Sequence, residues 1–173
     1  MSALSRGHRP LLVLVAVLAV SFAALAHGRA ADLRDVPALH NAALTDSATT
    51  SEINGVVDKA VNEVFSYDYT KPENTDRAAR EHLAGEAVGQ HEDMLARVRA
   101  QGEKQKLVLT TTVTHSAVEL IDGDRARVLV FADQSNVSTA EDGPAASAPA
   151  MFAVDVRHTE GAWRITKIDT FSR

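Results

Sequence analysis

Residues 11–26 read LLVLVAVLAVSFAALA, sixteen residues without a charge, and no other stretch constrains this chain so tightly. Arg6, His8 and Arg9 precede the run, while Arg29, Asp32, Arg34 and Asp35 follow it. A spanning helix needs roughly 20 apolar residues, and a cleaved export signal has a core of roughly 7 to 15. The run, opened by Leu11 and closed by Ala26, falls between the two. Pro10, His27 and Gly28 lengthen it to a marginal span, and Ala24-Leu25-Ala26 offers the small-x-small pattern that a signal peptidase accepts. Either way the remainder of the chain is expected outside the cytoplasm, because the positive flank stays inside. A buried core helix is the poorer reading, since such a helix is seldom apolar all round.

Charge and cysteine usage remove several functions. A formal net charge of −5, with no dense stretch of Lys and Arg, argues against nucleic acid as a partner, which needs a clustered basic face. With no cysteine, disulfides, thiolate chemistry and cysteine-rich zinc sites are excluded, as is an anchor attached through an acylated cysteine.

Beyond the run, residues 31–50 mix Ala, Leu, Asp, Asn and Thr and read as a juxtamembrane helix or a linker. From Ser51 onward, Ile53, Val56, Val57, Ala60, Val61, Val64 and Phe65 recur at the spacing of a helix with one apolar face, and Ser51 is a suitable N-cap. That helix should end near Ser66, ahead of Lys71-Pro72. A short second helix is expected over residues 76–83, ending at Gly85, and a third through Val88, His91, Met94, Leu95 and Val98, with Gly102 as its stop. The rest reads as strands: residues 106–120, 126–133, 150–158 and 162–171, with a turn at Asp122-Gly123-Asp124 and a long loop over residues 136–149. Helices first and a four-strand antiparallel meander after them define an α+β domain, residues 51–173, with three helices packed on one side of a curved sheet.

Several segments of this layout resemble the Mce-associated membrane proteins of actinobacteria. They are Phe65-Ser66-Tyr67-Asp68-Tyr69, Gln105-Lys106-Leu107-Val108-Leu109, the run from Val128 to Gln134, and Gly161-Ala162-Trp163-Arg164-Ile165. With the uncharged N-terminal segment the resemblance spans nearly the whole chain. It implies the cone-shaped fold of nuclear transport factor 2, and an accessory role for Mce transporters that carry lipids or sterols across the envelope. The expected partners are therefore the membrane, Mce transporter subunits and a lipid or sterol cargo, with a homo-oligomer left open. The resemblance also favours a retained single-pass anchor over residues 1–30, seated in the cytoplasmic membrane, with secretion after signal cleavage as the alternative.

A cone of this kind invites an enzyme of isomerase or cyclase type, or a small-molecule binder, as the alternative function. Proton shuttling there needs a carboxylate or histidine aimed into an apolar pocket, with a donor for the developing oxyanion. On simple alternation His115 shares a strand face with Leu107, Leu109, Thr111, Val113 and Ala117, which makes it a pocket candidate; a strand histidine near the sheet end is the commoner role. Tyr67 and Tyr69 are pocket-mouth candidates, although aromatic residues at a helix exit more often cover the core. Asp133 reads as a turn-former, Asp155 and Arg157 as a solvated pair, and Asp169 has no partner identifiable in sequence. His82 and His91 lie nine residues apart and fit no metal-ligand spacing, and His27 and His40 fall near the apolar segment. No catalytic constellation, metal site or cofactor is expected, so the sequence favours a non-catalytic accessory acting through protein contacts.

Overall fold

The first helix, α1 (Ser47–Val64), buries Ile53, Val57, Ala60, Val61 and Val64 along a single stripe. Full burial of one such aliphatic side chain is worth roughly 1.5–3 kcal/mol, so this stripe fixes the helix against the sheet. The computed structural model describes residues 41–138 and 146–171. Leu11, Ala26 and the apolar segment between them lie outside the described residues. Asp46, rather than Ser51, is the N-cap: its carboxylate accepts from the Thr49 N–H at 3.0 Å. Ser51 lies inside the helix, where its hydroxyl donates to the Ser47 carbonyl at 2.8 Å. Upstream of the cap, the Asn41 amide is tied to the main chain by both ends, donating to Glu119 O and accepting from Ile121 N.

Strand β1 (Tyr67–Asp68) follows α1, and then come α2 (Pro72–His82) and α3 (Glu86–Gln105). Helix α2 opens with Pro72 at its start, where the missing N–H costs nothing. Helix α3 runs through Gly102, the residue expected to stop it, and ends at Lys106 in the left-handed region with φ 47°. Gly102 serves packing instead, because an added Cβ there would lie 2.6–2.9 Å from the Tyr67 ring. Backbone and ring can approach this closely only at glycine.

Strands β2 (Leu107–Asp122), β3 (Arg125–Ser138), β4 (Ala146–Thr159) and β5 (Ala162–Asp169) complete the domain. The sheet is antiparallel in the order β1-β2-β3-β4-β5, five strands rather than the four expected. The extra one, β1, pairs Tyr67 with Leu109 and Asp68 with Val108. Two residues are too few for any alternation to register in sequence. Residues 136–138 and 146–149, expected in a long loop, are ladder residues, with Asn136 opposite Ala146 and Asp133 opposite Pro149. Asp133 is thus a mid-strand residue and not a turn-former. Helices α1 and α3 pack on one face of the sheet, and Phe65, Val128, Phe152, Val154 and Ile165 help close the core between them.

Side chains stand in for strands at both sheet edges. Beyond β1, the free edge of β2 is met by α1: Ser66 Oγ accepts from Thr111 N at 2.9 Å and Asn62 Oδ1 from Val113 N at 2.7 Å. At the other edge, the Gln90 amide of α3 donates to Ile168 O at 3.0 Å and accepts from Ile168 N at 2.8 Å. Ala84 N donates to Ile165 O at 2.8 Å on the same edge. Buried backbone groups that lack a strand partner need such substitutes.

Candidate functional site

The exit of α1, helix α2 and the start of β2 enclose a groove of about 570 Å³. The chain turns sharply here because Asp68 Oδ1 accepts from both the N–H and the hydroxyl of Thr70, at 2.8 and 2.7 Å. Those two bonds, the hydroxyl first, hold the Asp68 carboxyl below the usual carboxylate range, with Lys71 adding to the effect. Tyr67 is buried and forms part of the groove wall. Tyr69 is half-buried, does not line the groove, and donates its N–H to the Leu107 carbonyl at 3.2 Å. Around the rim, Lys59 reaches Glu81 at 3.4 Å and Glu63 at 4.0 Å, and Glu63 also meets the buried His82, whose Nε2 lies 2.9 Å away behind the groove wall. Alternating charges of this kind suit a polar or charged partner segment better than an apolar chain.

His115 stands elsewhere. A β-bulge between Val113 and His115 inserts a residue into β2 and turns the following side chains over. Before the bulge, Thr111 is buried toward α1 and donates its hydroxyl to Phe65 O at 2.7 Å. After it, Ser116 and Val118 face the helices, and His115 is exposed on the opposite face beside Phe131. Simple alternation fails at that one residue. The bulge also interrupts the stripe Asn54, Asp58, Asn62 and Ser66 with which α1 follows the edge of β2. Asn62 and Ser66 find backbone partners, whereas Asp58 Oδ1 is buried without one among the described residues. The two tyrosines and His115 therefore do not converge on one pocket.

The face of the sheet turned away from the helices carries two features. At one end Arg127 of β3 reaches carboxylates on three other strands: its guanidinium lies 3.3 Å from Glu119, 2.9 Å from Asp155 and 2.7 Å from Asp169. Asp169, held below the usual carboxylate range chiefly by the Arg127 hydrogen bond, finds the partner that sequence did not supply. Asp155 and Arg157 do not pair with each other; Arg157 meets Asp124 at 3.1 Å. Sequence reasoning misses Arg127 because its partners lie 8, 28 and 42 residues away and only the register aligns them. Next to this network, Phe131 and Met151 are cross-strand neighbours, 40% and 53% exposed.

His82 and His91 tie the helices to the exit of α1. The His91 ring is 1% exposed and sits 2.7 Å from Val64 O, and burial pushes its pKa below the ordinary histidine value. Among the described residues no group of three His, Asp or Glu side chains is placed to hold a metal ion. His27 and His40 lie outside the described residues.

No family model matches the chain. Two uncharacterized proteins from different strains of Mycobacterium tuberculosis are 31% identical to it over 124 residues, which is 71% of this chain and 56% of each relative. The chain thus spans about half the length of the curated relatives it matches. Among solved structures, an IcmL-like type IV secretion system protein from Legionella pneumophila superposes with a TM-score of 0.60 at 7% identity, covering 69% of this chain and 89% of that one. The periplasmic domain of DotI gives 0.58 at 15% identity, over 72% and 93%. CagV of Helicobacter pylori, a VirB8 homolog, gives 0.56 at 9% identity, over 69% and 95%. At such identities the likeness establishes a shared fold, three helices on an antiparallel sheet.

Proposed function

We propose that this chain is a non-catalytic, membrane-tethered accessory of an Mce-type lipid or sterol transport system. Its α+β domain acts outside the cytoplasm, through protein contacts at the outer face of the cytoplasmic membrane. The observation that carries the reading is the fold, three helices on a five-strand antiparallel sheet, shared with domains described as periplasmic and as belonging to secretion systems. Mycobacterial relatives at 31% identity fit the actinobacterial setting that the sequence resemblance implies. The arrangement of the interior supports a role without chemistry: Ile53, Val57, Val61 and Val64 fill the space beneath the sheet, and His115 points to the other side.

The test is affinity purification of the full-length protein from crosslinked native membranes, with co-purified proteins identified by mass spectrometry. Mce or permease subunits are expected, and they should be lost when residues 1–40 are replaced by a cleavable export signal. Recovery of the protein alone would remove the reading and favour a small-molecule binder or isomerase-type enzyme.

A further inference from the structure

Strand β5 ends at Asp169, opposite Ala153, so β4 has a strand partner on that side only from Ala153 to Thr159. Residues 146–152 form a stretch of sheet edge that no strand flanks among the described residues, and whereas the strand-free edges of β2 and β5 are met by side chains of α1 and α3, no such contact meets this stretch among the described residues. Its orientation follows from two hydrogen bonds. His158 N donates to Asp124 O on the β3 side, and Asp155 O accepts from Thr166 on the β5 side. Main-chain groups alternate along an antiparallel strand, and the β3–β4 register is unbroken. Ser147, Pro149 and Met151 therefore turn their main-chain groups toward the open edge. Pro149 has no N–H, which leaves donors at Ser147 and Met151 and acceptors at all three.

Side chains beside this edge supply the second half of a peptide site. Met151 and Phe131 stand next to each other on the outer face, 53% and 40% exposed. Asp133, directly opposite Pro149, is exposed and has no ion pair among the described residues. At the other end of the patch Arg127 faces three carboxylates, so acidic charge outweighs basic on both flanks. Strand addition draws affinity from main-chain bonds and specificity from neighbouring side chains, and complementary charge steers the encounter.

We propose that the open edge of β4 around Met151 receives an extended segment of a partner protein, with apolar side chains set on Phe131 and Met151 and a basic residue set against Asp133. The inference rests on the accessory reading above and names the surface through which it acts. A second copy of this chain is the poorer occupant, because its own Pro149 would remove a further donor from the ladder.

The test places a photoreactive residue at Met151, at Phe131 or, as a control on α3, at Met94 in the full-length protein in its native membranes. Amide exchange at Ser147 and Met151 is then measured in the purified complex. One discrete partner should crosslink from positions 151 and 131 and not from 94. Asp133→Lys should lower the yield about tenfold, and both amides should exchange more slowly in the complex than in the isolated protein. Crosslinks to a second copy would overturn the occupant proposed. A partner recovered by general crosslinking while both amides exchange freely would overturn this site and leave the accessory reading standing. Absence of any partner under every crosslinker would remove both.

Discussion

His91 of α3 sets its Nε2 2.7 Å from the carbonyl oxygen of Val64, the last residue of α1. That carbonyl is one of the acceptors a helix leaves without an internal partner, and the imidazole N–H donates to it from a neighbouring helix. The ring also meets Phe65 edge-on, with centroids 6.0 Å apart. Burial is the largest influence on this histidine and lowers its pKa, against an opposing contribution from the Val64 bond. The unfolded chain, with an ordinary value of about 6.5, then binds more protons than the folded one. The stability His91 contributes is full above that value and is lost as pH falls through the lower folded value. Denaturant midpoints should therefore drop between pH 7.5 and 5, above the carboxylate range. His91→Gln should flatten that slope while lowering stability throughout; an unchanged slope would show that another group sets it.

Gly102→Ala tests the contact between α3 and β1. Replacing glycine inside a helix ordinarily gains about 1 kcal/mol. Here the new Cβ would lie 2.6 Å from the Tyr67 hydroxyl oxygen and 2.7 Å from a ring carbon. Tyr67 is 5% exposed, so its ring has little room to retreat. Overpacking of this kind costs about 1–3 kcal/mol, and the variant should be less stable in equilibrium denaturation. Combined with Tyr67→Ala, the cost of the added methyl should largely vanish; additive effects would place the strain elsewhere.

What is legible in the sequence follows from periodicity. Helix α1 has one apolar stripe and one polar stripe, and its pattern locates it with only the N-cap misplaced. Asp46 and Ser51 are both capping types, and what separates them is which side chain reaches a free N–H, here Asp46 to Thr49. The ends of β3 and β4 read as loop because Asn136, Ser138, Ala146 and Ser147 bury little, so main-chain pairing alone makes them strands. Alternation puts His115 on the wrong face because one bulge residue reverses it. Arg127 and its carboxylates belong to four strands, and no local pattern brings them together.

Arg127→Met should expose the cost of three adjacent carboxylates. Glu119, Asp155 and Asp169 would lose their shared cation and repel one another across the outer face. All four side chains are 30–47% exposed, so screening keeps the effect modest. The melting temperature should fall by a few degrees in low salt. The gap should narrow in 1 M salt, where screening acts over about 3 Å. A gap that persists at high salt would point to lost packing of the Arg127 stem instead.

Gln90→Glu probes the substitute partner at the β5 edge with almost no change in shape. In the native protein one amide group both donates to Ile168 O and accepts from Ile168 N. A carboxylate keeps the acceptor and loses the donor, and it turns a negative oxygen toward the Ile168 carbonyl. Leaving a buried polar group unpaired costs about 1–3 kcal/mol, and Ile168 is 4% exposed. The variant should lose stability within that range, and amide exchange along β5 should rise most at its C-terminal end. Acidification toward the carboxylate range should restore part of the loss, because the introduced carboxyl regains a donor once it is protonated. Equal losses for Gln90→Glu and Gln90→Ala at every pH would mean that the helix packing, and not the pair of main-chain bonds, holds this edge.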